Sequence, residues 1–165
     1  MIRTAIIGAA GRMGKILVSM IAARDDLALS GAIEYDGCPV VGQDAGVVAG
    51  IGPLGVTIGT NIRTVLDTTD AVIDFSTPES TMAVIPDIVA AGAAAVIGTT
   101  GLSAAQTSVL HDLAAGGGRL VVAPNMSVGV NLLFALCAKV APLLGDDYDI
   151  EVVEMHHNRK KDAPS

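Results

Sequence analysis

The sequence has no tryptophan, two tyrosines and two phenylalanines, so aromatic residues make up 2% of its 165 positions. Proteins that stack bases need aromatic faces, and this chain has almost none. It also has no excess of positive charge: 10 Lys and Arg stand against 17 Asp and Glu, for a formal net charge of −7. Both facts argue against nucleic acid as a main partner. Cysteine is scarce too, with only Cys38 and Cys137. Neither falls in a metal-ligand spacing, so no metal is expected, and two reduced thiols are a simpler reading than a disulfide. The uncharged stretch 88–106 is divided by glycines and a Thr-Thr-Gly turn, which is too interrupted for a membrane span. The first apolar run is broken by Gly8 and followed by Arg12, so it reads as a strand and not as a signal peptide. The expectation is a cytoplasmic protein with no membrane partner.

What the chain does have is aliphatic residues and glycine. Hydrophobic residues amount to 51%, enough for a core in one ordinary domain. The organising stretch is Gly8-Ala9-Ala10-Gly11-Arg12-Met13-Gly14. A β-branched run, 2–7, precedes it, and residues 15–23 follow with Ile16, Leu17, Met20 and Ile21 at helical spacing. Strand, glycine turn and helix in that order form a phosphate cradle: the glycines permit close backbone approach, and the helix N-terminus offers free N–H groups. A second strand, 27–33, ends at Glu34, where a carboxylate would meet a cofactor ribose. The plainer alternative is a glycine turn that only packs a helix on a sheet.

Further on, a glycine-rich but apolar stretch reads as an ordered surface excursion, with a short strand at 56–58. Asn61 caps a short helix through Leu66. Strands are expected at 71–75, 94–97 and 120–123. Between them, Thr77-Pro78 opens a helix closed by Gly92, and Ser103 opens one reaching about Ala115. This alternation, with continuously apolar strands, predicts an α/β fold: a Rossmann-type parallel sheet with helices on both faces. Ligands of such sheets lie past the carboxyl ends of the strands. That rim comprises residues 8–13, Glu34-Tyr35, 75–78, 98–100 and 123–126. From Val128 a long apolar helix is expected to near Pro142, and 148–155 alternates like a strand of a different sheet. The domains are then 1–127, dinucleotide-binding, and 128–165, the start of a second α+β domain.

The last residues carry a resemblance. Glu154-Met155-His156-His157, Lys160 and Asp162-Ala163-Pro164-Ser165 resemble the signature of the 4-hydroxy-tetrahydrodipicolinate reductases, also called dihydrodipicolinate reductases. The glycine motif, Gly98-Thr99-Thr100-Gly101 and the run 125–131 are similar to that family as well. The resemblance implies reduction of a cyclic imine dicarboxylate by NADH or NADPH in lysine and diaminopimelate biosynthesis. It implies that His156 and Lys160 are the acid/base pair and that His157 binds a substrate carboxylate. It places the pyrophosphate on Gly8, Ala9, Ala10, Gly11, Arg12 and Met13, and the adenosine ribose on Glu34. The nicotinamide side falls to Gly98, Thr99, Thr100, Ala123, Pro124, Asn125 and Met126. The tail is physically suited to such chemistry. Arg159, Lys160, Lys161 and two histidines cluster positive charge for a dianion, and a group titrating near neutrality can protonate the reduced nitrogen. Apart from the resemblance, such a tail reads as a solvated chain end.

One position departs from the family pattern. Many members carry a basic residue after the acid of the second strand, and this chain has Tyr35, which favours NADH over NADPH. The family also continues past the equivalent of Ser165, with a Gly-Thr pair for a substrate carboxylate and a sheet that makes tetramer contacts. The expectation is therefore a chain that binds cofactor and turns over substrate poorly, its tetramer in doubt. Rival readings are a non-catalytic dinucleotide-binding module, an aspartate or homoserine dehydrogenase, and a coenzyme A-binding domain, which an acid at Glu34 would repel.

Overall fold

The computed structural model describes residues 1–153 and residue 155. Its first compact unit runs from Met1 to Ala123 and its second begins at Pro124. The first unit alternates strand and helix: β1 (Ile2–Ile7), α1 (Arg12–Ala22), β2 (Leu27–Ile33), α2 (Ala45–Ala49), β3 (Ile58–Gly59), β4 (Ala71–Asp74), α3 (Pro78–Ala90), β5 (Ala94–Ile97), α4 (Ala104–Ala115) and β6 (Leu120–Val122). The six strands form one sheet in the order β3-β2-β1-β4-β5-β6, and every neighbouring pair is parallel. The order reverses between β1 and β4, which makes that junction the switch point of a Rossmann-type sheet.

The aliphatic strands are apolar in consecutive positions because both faces of the sheet are covered. Ala5, Ile7, Val72, Ala95 and Ile97 point to one side, where they meet Ile85 and Ile88 of α3 and Leu110 of α4. Ile6, Ala32 and Ile58 point to the other and pack with Val18 and Ile21 of α1 and Ala45 of α2. Burying each such isoleucine is worth about 1.5–3 kcal/mol. Two small cores clamped on one sheet therefore hold the carboxyl-end rim in place.

Several local expectations are corrected. Helix α1 starts at Arg12, so the last residues of the glycine motif already belong to its first turn. Helix α2 was not anticipated; its cap is Asp44, which also binds the N–H groups of Leu54 and Gly55. The short strand lies at Ile58–Gly59, while Thr57 makes only an isolated antiparallel bridge to Asp44. Asn61 does cap, but over a 3₁₀ turn, Ile62–Thr64, followed by another at Leu66–Thr68.

In the second unit, α5 (Val128–Leu144) carries Pro142 inside its last turn, where the proline removes one N–H from the helix ladder two residues before the helix ends. A 3₁₀ turn, Gly145–Asp147, follows. The strand expected at 148–155 is not formed among its described residues, which have no regular structure. Alternation sets the two faces of a strand, but a strand exists only with a ladder partner. No residue of α5 is buried, and by length and composition Val128–Asp147 is apolar enough to cross a membrane. Cys38 and Cys137 are both free.

Candidate functional site

The rim is built from turns that leave the carboxyl ends of the parallel strands. Past β1, Gly8 takes φ 73°, a left-handed conformation suited to glycine, and its N–H donates to the Ile33 carbonyl at 2.8 Å. Ala9 N–H donates to the same oxygen at 3.2 Å, and Gly11 N–H to Gly8 O at 3.0 Å. Gly14 is required by proximity: a Cβ there would stand 2.1 Å from Gly8 O and 2.6 Å from the Ala9 carbonyl. The first turn of α1 is thereby pressed onto the glycine loop.

Helix α1 begins differently from the others. Asp44 caps α2, Thr77 caps α3, Ser103 caps α4 in a capping box with Gln106, and Ser127 caps α5. Gly11 at the start of α1 has no side chain to offer, and no acid stands in that first turn. The leading N–H groups and the positive end of the helix dipole are left for an external anion.

Glu34 follows β2 and is 9% exposed. Its Oε1 accepts the Ala10 N–H at 2.8 Å and its Oε2 the Tyr35 N–H at 3.4 Å, so the carboxylate stands against the glycine loop. Tyr35 is exposed, as are Gly11, Arg12 and Met13. An acid held there accepts from sugar hydroxyls and repels a phosphate in their place.

Past β4 and β5 lies a polar cluster that sequence reasoning missed. Asp74, 2% exposed, accepts from the Ser76 N–H at 2.9 Å and the Ser76 hydroxyl at 2.6 Å on Oδ1. On Oδ2 it accepts from the Thr81 hydroxyl at 2.6 Å, and Thr81 Oγ1 lies 2.9 Å from Thr99 Oγ1. Thr81 and Thr99 are both buried, whereas Thr100 is exposed. The signal in the sequence was an acid closing an otherwise apolar strand. Phe75 lies over Gly98, where an added Cβ would come within 2.2 Å of the ring.

The first unit thus brings Gly8, Ala9, Ala10, Gly11, Arg12, Met13, Glu34, Gly98, Thr99, Thr100 and Ala123 to the carboxyl-end rim of the sheet. Ala123 N–H closes the row by donating to Ile97 O at 3.1 Å. Pro124, Asn125 and Met126 belong to the second unit. There Asn125 is a local hub: its Oδ1 accepts from Ser127 N–H and its carbonyl from Asn131 Nδ2, both at 2.8 Å. His156, His157 and Lys160 lie outside the described residues. Among the described residues, no group of His, Cys, Asp or Glu is arranged to hold a metal.

Comparison with known proteins identifies the family and the fold. The family profile described as dihydrodipicolinate reductase, N-terminus, matches residues 2–126, and its C-terminus profile matches 129–165. A 4-hydroxy-tetrahydrodipicolinate reductase of Hahella chejuensis is 48% identical over 165 residues, covering 100% of this chain and 61% of its own length. One from Syntrophotalea carbinolica is 46% identical with the same coverage. Among solved structures, dipicolinate-bound dihydrodipicolinate reductase from Paenisporosarcina sp. TG-14 is similar, with a TM-score of 0.74 at 26% identity. That match covers 100% of this chain and 62% of the solved one. The chain therefore spans about six-tenths of the length of the curated relatives it matches.

Proposed function

This chain belongs to the dihydrodipicolinate reductase family, and from that premise we propose that it binds a nicotinamide dinucleotide on the carboxyl-end rim and serves the reduction of 4-hydroxy-tetrahydrodipicolinate to tetrahydrodipicolinate. The observation that carries the binding half is the uncapped start of α1 beneath a glycine loop, with an acid beside it. The donor set fits the cofactor: with the N–H groups of Gly8 to Gly11 holding the loop in place, those of Arg12 and Met13 at the start of α1 are offered to the pyrophosphate over residues 8–13, and Glu34 offers acceptors to the adenosine ribose. On this reading residues 98–100 and 123–126 face the nicotinamide end. When bound, the nicotinamide supplies a hydride.

The remaining chemistry falls to the motif after Met155, which the family resemblance assigns. His156 and Lys160 hold and deliver the proton that the reduced nitrogen needs, and His157 with the neighbouring cations binds a carboxylate of the substrate. The dipicolinate in the similar solved structure is a dicarboxylate, in keeping with that charge pattern. The domain boundary belongs to the same proposal: 1–127 for the cofactor and 128–165 opening the domain for substrate and assembly. In that setting the apolar surface of α5 is a packing surface of a cytoplasmic protein whose family resemblance implies a tetramer, and not a membrane span.

NADH is the preferred partner, because the Glu34 carboxylate is fixed at the loop and Tyr35 provides no cation for a 2′-phosphate. Fluorescence titration with NADH and NADPH, followed by turnover with freshly generated substrate, tests each part. Tighter NADH binding is the expected result, and strong turnover by the 165-residue chain would carry the reductase reading in full and overturn the expectation of poor turnover. Binding without turnover leaves a dinucleotide-binding module, and failure to bind either cofactor overturns the reading.

A further inference from the structure

The buried cluster behind the 98–101 turn is polar where the fold needs only apolar contact. Asp74 carries a carboxylate into a site where 2% of it is exposed, and its partners are one N–H and two hydroxyls. An aliphatic residue would pack there without the expense of desolvating a carboxylate. What the polar group provides is direction. Thr81 has one hydroxyl proton and gives it to Asp74 Oδ2. The Thr81–Thr99 contact must then be made by the Thr99 proton. The chain of donors runs one way, from Thr99 through Thr81 to Asp74.

That polarity settles which way Thr99 faces. Its hydroxyl is committed inward at 4% exposure, so what it can present to a ligand on the rim is backbone. The next residue, Thr100, is exposed, and Gly101 turns the chain with φ 81°. Phe75 presses on Gly98 from the same strand end. On the other side Ser76, held by Asp74, faces Gly8, where an added Cβ would meet the Ser76 Cβ at 3.5 Å. The end of β4 thus stands between the glycine loop and the 98–101 turn, with the Asp74 side chain holding Ser76 and Thr81 and its carbonyl accepting the Gly98 N–H at 2.8 Å.

We propose that Asp74, acting through Thr81 and Thr99, is a positioning residue that fixes the 98–101 turn for the nicotinamide half of the cofactor. This rests on the binding reading above and adds to it a residue that touches no ligand. Misplacing a turn costs affinity only for the part of the ligand that it meets. The loss should therefore fall on NADH and spare ADP, which carries only the adenosine and pyrophosphate half.

The test is a pair of titrations, NADH and ADP, on the 165-residue chain and on Thr81→Val, which keeps the side-chain shape and removes the link. NADH affinity should fall about tenfold, the value of one well-placed hydrogen bond, with ADP affinity unchanged. Thr81→Ser should restore NADH binding. Equal losses for both ligands would mean general damage and overturn the proposal, as would unchanged NADH binding. Should Thr81→Val not fold, Asp74→Asn is titrated in the same way. Its amide keeps an acceptor for Ser76 but presents a donor to Thr81, which reverses the chain, and the same selective loss is expected. A parent chain that binds ADP but not NADH would overturn this proposal alone. One that binds neither would overturn the cofactor reading with it.

Discussion

The two rims of the sheet are made from similar residues and behave in opposite ways. At the carboxyl ends, Glu34 and Asp74 are buried and bonded to backbone N–H groups and hydroxyls, with no cation among their hydrogen-bond partners in the described residues. At the amino ends, Asp70 is partly exposed and takes a two-pronged ion pair from Arg3, with Nη2 to Oδ1 at 2.7 Å and Nε to Oδ2 at 3.0 Å. Nearby, Arg119 binds the Gly92 carbonyl, and together these groups line a polar cleft. That cleft is no candidate for the dinucleotide: its Arg3 charge is already answered, and no uncapped helix start points into it. One rim withholds its charges from each other and offers its N–H groups outward. The other satisfies itself.

The contrast predicts graded damage across the sheet. The largest effect is expected at Gly14. Its alanine variant drives a Cβ into backbone that has no rotamer to escape by, so urea unfolding should show a loss of about 3 kcal/mol or more, with NADH binding abolished. An unchanged midpoint would mean that the glycine loop is softer than the packing indicates.

Glu34→Gln comes next. The amide oxygen still accepts the Ala10 N–H, so the loop should hold while the negative charge is gone. The ratio of NADPH to NADH affinity should rise roughly tenfold. A ratio that does not move would place the source of discrimination elsewhere on the rim.

The smallest effect belongs to the opposite rim. The Arg3 side-chain and backbone N–H groups hold the Asp70 carboxyl well below the usual carboxylate range. A carboxyl depressed in the folded state adds stability above its unfolded pKa, near 3.8, and that contribution fades as pH falls below this value. Because the pair is exposed, Asp70→Asn should leave NADH titration unchanged and lower stability only slightly at neutral pH. The gap between variant and parent should close as acid denaturation is followed downward from pH 4. A gap that widened in acid would contradict the sign of this linkage.

What could be read from the sequence followed the range of the interactions. Strands 27–33 and 94–97 and the Ser103 helix were legible to the residue, because apolar runs and caps are local signals. The row of turns on the rim was legible for the same reason. Helix α2 was not, since its cap is secured by N–H groups ten and eleven residues further on. The Asp74 cluster escaped as well: it joins residues 7 and 18 apart on three elements, and each looks ordinary alone. The expected strand at 148–155 failed because alternation says nothing about whether a partner strand is at hand. The histidine motif remains a matter of resemblance, since the structure describes none of its three assigned residues.

The Asp44 carboxylate decides where this chain can accept an insertion. It gathers the N–H groups of Gly46, Val47, Leu54 and Gly55, while Ala45 N–H meets Val56 O and Gly42 N–H meets Ile58 O. The excursion is therefore fastened at its neck, and between the fastenings stand Gly50 and Gly52 with left-handed backbones and open space around them. Lengthening such a loop at its tip costs only about 0.6 kcal/mol for each doubling. New chain, a tag or a reporter peptide can be spliced between those glycines without the sheet registering the change.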